Sequence, residues 1–304
     1  MKHLLTIKDL TVEEIIALLD LADEIKRDPV KFSLVLEGKC IVLLFQKTST
    51  RTRISFESGM YQLGGNAIFL DWRTTNLHLG SLSDEIRCIS DYIDLIMARV
   101  NEHSTLEIIK NASNVPIING LSEKYHPCQV LADLMTIRER FGSLEDVKVA
   151  WIGDGNNVCN SLIIGCTLLN IPISVATPEQ FKPRLEVITW VKEQNLEEFL
   201  TITVSPKDAI RDANVIYTDT FVSMGQESET EERLKIFKPY QVNSELISNC
   251  KKDPYIMHCL PAHRGVEITD EVLDSDRSIV FEQAENRLHF QKALMLKILK
   301  ETEN

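Results

Sequence analysis

The sequence predicts an α/β chain of two domains, each an open, mostly parallel sheet with helices on both faces. Two observations carry this. Short apolar, β-branched runs alternate with segments whose apolar residues recur at helical spacing, and they do so in two successive groups along 304 residues. Several of the strand runs are apolar throughout rather than alternating, as strands covered on both faces are. The length is sufficient for two domains, each with a full core.

Residues 4–27 carry an amphipathic pattern through Leu5, Ile15, Leu18, Leu19, Ala22 and Ile25, read as one or two helices that Asp28-Pro29 ends. Cys40–Phe45 is a continuous apolar run, a buried strand. Ile54, Phe56, Met60 and Leu63 then repeat at helical spacing from about Arg53, and Gly64-Gly65 closes that helix before a second strand at Ala67–Leu70. Asp71–Ser83 is polar and weakly periodic, a loop long enough to suggest function. A helix follows at Ser83–Ile89, a strand at Leu95–Ala98 ending on Arg99, a helix at Thr105–Asn111 and a short strand at Val115–Asn119. A long helix spans Val130–Phe141, and Gly142 ends it.

The second group opens with a strand at Val147–Ile152, the turn Gly153-Asp154-Gly155-Asn156-Asn157, and a helix through Leu162, Ile163 and Leu169. Further strands are expected at Ile171–Ala176, Phe199–Val204, Val215–Thr218, Tyr255–His258 and Ser278–Phe281, with helices between them. A last helix runs from about Gln291 to Leu299.

A formal net charge of -12 argues against a nucleic-acid surface. No stretch approaches the length of a membrane span and no charged leader precedes an apolar run, so a cytoplasmic protein without a membrane partner is expected. The 7 cysteines are scattered, odd in number and in apolar contexts, which suits reduced, mostly buried thiols rather than a disulfide framework or structural zinc.

Ser49-Thr50-Arg51-Thr52-Arg53 falls where a strand ends and a helix begins, the place where open α/β sheets bind ligands on free N–H groups. Cations in a first helical turn oppose the dipole, so two arginines here call for something negative, either a ligand or buried carboxylates. An ordinary N-cap with solvated arginines is the bland alternative. Other polar clusters fall at the ends of other strands: Arg99, His126 with Gln129, Asn157, Asp219 with Ser223-Met224-Gly225, and His258-Cys259-Leu260-Pro261. In a parallel sheet these ends share one edge. Each has a plainer reading: His126 as a helix cap, Asp219-Thr220 as a turn, Cys259 as a small buried hydrophobe. Adjacent His258 and Cys259 point to opposite faces of a strand, which disfavours a nucleophile–base pair. Gly153-Asp154-Gly155 lacks the third glycine and the acidic partner of a dinucleotide fingerprint, and no phosphate-binding loop of the ATPase type is present.

Taken with Met97-Ala98-Arg99-Val100, His126-Pro127-Cys128-Gln129 and Glu285-Asn286-Arg287, these motifs resemble the aspartate/ornithine carbamoyltransferase family over nearly the whole chain, and Ser-Met-Gly with His-Cys-Leu-Pro resembles its ornithine branch. The resemblance implies a carbamoyl phosphate domain at residues 1–140, an ornithine domain at 141–286, and a terminal helix, 287–304, returning to the first. It implies that Ser49, Thr50, Arg51, Thr52, Arg53, Arg99, His126 and Gln129 hold carbamoyl phosphate, with Arg99 and His126 near its carbonyl oxygen. Asn157, Asp219, Ser223 and Met224 would hold the amino-acid end of L-ornithine, Cys259 and Leu260 would lie beside its side-chain amine, and Arg287 would close the site. A homotrimer or an assembly of trimers is implied, in which the loop holding His78 reaches a neighbour.

The implied reaction transfers a carbamoyl group to the δ-amine of ornithine, giving citrulline and phosphate, with no metal or organic cofactor required. Arg51, Arg99, His126 and Cys259 are expected at the reacting atoms, Cys259 as an orienting group rather than a nucleophile. Two other readings stay open: transfer to another amine such as putrescine or N-acetylornithine, and binding of phosphate and an amino acid without turnover. The chain departs from the family pattern at Gln46-Lys47-Thr48, where Glu-Lys-Pro is common, at Phe221, where tryptophan is usual and a smaller wall for the second substrate is expected, and around Trp72 and Arg73.

Overall fold

The structure, a computed structural model, describes residues 3–222 and 230–301. The chain divides into two compact units, residues 1–135 with 285–304 and residues 136–284.

Unit 1 contains α1 (Val12–Arg27), β1 (Cys40–Phe45), α2 (Thr50–Gln62), β2 (Asn66–Asp71), α3 (Leu82–Ser90), β3 (Leu95–Arg99), α4 (His103–Ala112), β4 (Ile117–Leu121) and most of α5 (Pro127–Phe141). Its sheet has the order β2-β1-β3-β4, parallel throughout. Every residue of β3 is buried, so both faces of the sheet centre are covered. On one side Val42, Leu44, Ile96 and Ala98 pack with Ile86, Leu106 and Ile109 of the helices.

Unit 2 contains β5 (Val149–Ile152), α6 (Asn157–Leu168), β6 (Ile173–Ala176), α7 (Leu185–Glu193), β7 (Leu200–Thr203), α8 (Pro206–Ile210), β8 (Val215–Thr218), α9 (Thr230–Phe237), α10 (Ser244–Ile247), β9 (Tyr255–His258), α11 (Asp270–Leu273) and the start of α12 (Val280–Glu301). The sheet order is β7-β6-β5-β8-β9, again parallel. Its core joins Ile152, Ile216 and Ile256 of the strands to Phe221, Phe237 and Tyr240.

Both sheets reverse strand order once, between β1 and β3 in unit 1 and between β5 and β8 in unit 2. At such a point the loops after neighbouring strands diverge and leave a crevice at the carboxyl edge. The loops opening there begin at Gln46 and Val100 in unit 1, and at Gly153 and Asp219 in unit 2.

The expected strand at Ser278–Phe281 is corrected. Ser278 makes only an isolated bridge to Ile256, and α12 already begins at Val280. A short apolar run such as Ile279-Val280 does not distinguish strand from buried helix, and among the described residues no strand pairs with β9 on its outer side. The last helix accordingly runs for 22 residues from Val280, well before Gln291. The loop after β2 is more regular than its polarity suggests, with single helical turns at Trp72–Thr74 and Asn76–His78. Leu77 is buried there and His78 exposed.

Candidate functional site

In unit 1 the first motif forms the start of α2. Ser49 is the N-cap and accepts the Thr52 N–H at 3.3 Å, so Thr50–Arg53 make up the first turn. Thr52 is fully buried, and its hydroxyl oxygen accepts from Ser49 Oγ at 3.0 Å and from an Arg287 guanidinium N–H at 2.8 Å. The arginine of the terminal helix is thereby seated on the first motif. Arg99, His126 and Arg287 are all buried, at 6%, 4% and 4% exposure. Arg51 has a buried Nε that bonds to none of the described residues.

These cations act on one imidazole. Burial holds His126 well below its ordinary value, and Arg287, Arg99 and Arg51, in that order, push it further down. His126 is therefore neutral at physiological pH and offers one N–H donor. Lys47 belongs to the same neighbourhood: burial and the like charge of Arg99 lower it, while Glu123 raises it.

Arg53 is differently engaged. It pairs with Glu57 at 2.9 Å and its guanidinium lies 3.7 Å over the Phe69 ring. Gln129 is 1% exposed and donates to Asp133 at 2.9 Å, one helical turn on. An open pocket of about 570 Å³ shares Ser49 and Thr50 with the anion cluster and extends past Arg53 and Phe69 to Arg73.

In unit 2 the loops at the reversal between β5 and β8 are joined around Asp219. Asn156 caps α6 by accepting from the Val158 and Cys159 N–H groups, and its amide donates to Asp219 at 2.7 Å. Asn157 is the first residue of that helix. Cys259 Sγ donates to the other Asp219 oxygen at 2.9 Å, and the Thr220 N–H does so at 2.7 Å. Gly155 is required where it stands, because a Cβ would come within 2.3 Å of the Pro183 nitrogen.

His258 is fully buried and committed elsewhere. Its Nδ1 accepts the Leu260 N–H at 2.8 Å, which leaves Nε2 to donate to Glu267 at 3.2 Å. Leu260, with φ of 58°, sits in the left-handed region that non-glycine residues rarely adopt, and this bond helps hold it there. Asp219, His258 and Cys259 bring potential metal-ligand atoms within 4.8 Å of one another. A metal there would displace the Leu260 or the Glu267 bond of His258.

Phe221 differs from its expected place as a wall for substrate. It is 1% exposed and stacks on Phe237 at 4.9 Å, so its ring belongs to the core of unit 2. Its carbonyl accepts from Arg233 Nε at 2.8 Å, and Arg233 also pairs with the largely buried Asp154. Burial raises Asp154 to about 6 against the opposing effect of that guanidinium. Ser223 and Met224 lie outside the described residues.

Two family models match, one described as the carbamoyl-P binding domain of aspartate/ornithine carbamoyltransferase over residues 2–139 and one as its Asp/Orn binding domain over residues 145–298. The chain belongs to the aspartate/ornithine carbamoyltransferase family. Among family members, it is 49% identical to a protein from Archaeoglobus fulgidus named ornithine carbamoyltransferase, over 100% of this chain and 99% of that one. A protein of the same name from Bacillus subtilis is 50% identical over 98% and 94%. The solved structure of ornithine carbamoyltransferase from Pyrococcus furiosus superposes with a TM-score of 0.93 at 48% identity, covering 98% of this chain and 97% of that one.

Three residues of this carbamoyltransferase-family chain add to the set that its motifs suggest. Asn156, not singled out beside Asn157, bonds Asp219 directly. Lys47 adjoins the first motif and carried a signal in its position alone. Arg233 gave none, because a charged residue in an amphipathic helix ordinarily faces water.

Proposed function

We propose that this chain transfers the carbamoyl group of carbamoyl phosphate to the δ-amine of L-ornithine, giving L-citrulline and phosphate. The observation that carries the reading is the convergence of Arg51, Arg99 and Arg287 on the neutral, buried His126. Guanidinia gathered at one point match the charge and the several oxygen atoms of a phosphate ester.

In this reading Ser49, Thr50, Arg51 and Thr52 take the phosphate through hydroxyls, first-turn N–H groups and charge, and Arg53 joins them on leaving Glu57. Arg99 and His126 donate to the carbonyl oxygen as it gains charge, and Gln129 meets the carbamoyl end. Asn157, Asp219, Ser223 and Met224 hold the amino-acid end of ornithine, and Arg287 completes the anion set. Only the neutral amine attacks, although an amine of this type is mostly protonated at neutral pH. Cys259, held by Asp219, and Leu260 orient that amine. Cys259 acts without a covalent step, because the nitrogen atoms of the adjacent His258 are used by Leu260 and Glu267.

We further infer a cytoplasmic homotrimer serving arginine biosynthesis, with the His78 loop meeting a neighbouring copy. Exposed His78 and Leu79 on that loop, and exposed Ile54 and Tyr61 on α2, support the contact. Among the described residues no helix is long and apolar enough to cross a membrane.

Citrulline and phosphate are to be measured from carbamoyl phosphate with ornithine, putrescine, N-acetylornithine and lysine in separate reactions, and the mass of the active species by sedimentation. Equal amounts of both products with ornithine, far above the other amines, are expected from a species of three chains or a multiple of three. Preference for another amine overturns the assignment of unit 2, and binding without turnover overturns catalysis.

A further inference from the structure

Helix α4 begins four residues after Arg99, and the side chain of its N-cap residue, Glu102, accepts no backbone N–H of the helix. The leading N–H groups of a helix need acceptors. Here the acceptor for the first of them comes from another loop, and a third loop holds the residue just before the cap. Glu123 Oε2 takes the His103 N–H at 2.5 Å, and Gln46 Oε1 takes the Asn101 N–H at 2.8 Å. Gln46 also donates its own N–H to the Arg99 carbonyl at 2.8 Å. His103 reinforces the join: its Nδ1 lies 2.9 Å from the Ser122 hydroxyl and its ring meets Tyr125 edge-on at 5.2 Å.

The loops joined in this way follow β1, β3 and β4, and they are the loops that carry the anion cluster. Gln46 leads into Ser49–Arg53, Arg99 ends β3, and His126 follows Glu123 by three residues. A carboxylate at a helix N-terminus is also favoured by the dipole, and Glu123 lies near enough to Lys47 to offset the like charge of Arg99 there.

We propose that Glu123, assisted by Gln46, is a positioning residue for carbamoyl phosphate, fixing the spacing between Arg99 and His126. The inference rests on the reading of unit 1 given above. Donors to a developing oxyanion act by being in place before the charge forms. Glu123 achieves this through the His103 N–H, and Gln46 through the Asn101 N–H and the Arg99 carbonyl. The phosphate end depends on the Ser49 turn instead, which caps itself. Loosening Glu123 therefore separates recognition of the carbamoyl group from recognition of phosphate.

Glu123→Ala, Glu123→Gln and Gln46→Ala of the full chain test this. The readouts are the thermal midpoint, KM for each substrate, Ki of inorganic phosphate against carbamoyl phosphate, and titration calorimetry of both anions. Glu123→Ala is expected to weaken carbamoyl phosphate about tenfold to a hundredfold while inorganic phosphate changes by less than about threefold. Glu123→Gln keeps an acceptor for the His103 N–H and is expected to stay within about threefold of the parent for both anions. Gln46→Ala should follow Glu123→Ala in direction.

Unchanged affinity for carbamoyl phosphate in Glu123→Ala overturns the proposal. So does an equal loss for both anions, which marks general damage, or a Gln variant as impaired as Ala, which assigns the effect to charge beside Lys47. Should Glu123→Ala fail to fold, Gln46→Ala decides by the same ratio of the two anions. The calorimetry does not depend on turnover, so a parent chain inactive on ornithine would count against the proposed reaction and leave this comparison readable.

Discussion

Burial and then three arginines combine at His126 to exclude a further positive charge, and the result is a neutral donor among guanidinia. Arg51 carries the most direct test of that cluster, because its Nε is buried and bonds to none of the described residues. Arg51→Ala is expected to lower kcat/KM by about a hundredfold to a thousandfold, the usual scale for loss of a donor to developing charge. Its thermal midpoint should stay within about 3 °C of the parent, since no core contact is lost. Near-normal turnover in steady-state assays would remove Arg51 from the site. The first motif was legible because hydroxyls and arginines at a strand-to-helix junction have a physical purpose there. Arg53 shows the limit of that reasoning: its partner Glu57 stands at i+4, visible in the sequence, but the Phe69 ring beneath it comes from the neighbouring strand.

At the scale of elements, the helices that line the two crevices start on side-chain caps, Ser49 for α2 and Asn156 for α6. Ser49→Ala removes the acceptor for the Thr52 N–H and should cost about 1 kcal/mol of stability. Urea unfolding reads that cost, and a stability equal to the parent would mean that the 3.3 Å bond contributes nothing. Strands β1, β8 and β9 stand at the residues their apolar runs indicate, because a strand covered on both faces leaves an uninterrupted signature. Residues 278–281 carry a similar run and became the approach to α12, since a short run holds no period by which strand and helix differ. Helix α4 extends the point from length to capping. The acceptor for its first N–H comes from Glu123, 20 residues on in sequence, so local motif reading found no start for it at His103.

At the scale of the whole molecule, the buried titratable groups set opposite slopes of stability with pH. His126 in the folded chain lies well below its ordinary value of 6.5, so the unfolded chain takes up a proton that the native one refuses, and stability falls as pH drops below about 6.5. Asp154 is raised from 3.8 to about 6, so the native chain holds a proton that the unfolded one has released, and stability falls as pH rises from about 4 to about 6. His126→Gln should therefore lose less stability between pH 7 and pH 5 than the parent, followed as thermal midpoints across that range. An equal loss in both proteins would mean that His126 is protonated in the fold. What the sequence determined by itself was the alternation of strand and helix, the two groups of elements, and the motifs at strand ends, because these depend on residue type and short-range spacing. The tertiary structure decided which charges face one another. It brought Arg287 onto Thr52, set Arg53 over Phe69, buried Phe221 against Phe237, capped α4 with Glu123 and tied the residue before its cap to Gln46. Those pairings follow from how parallel strands order themselves in a sheet, which no local period encodes.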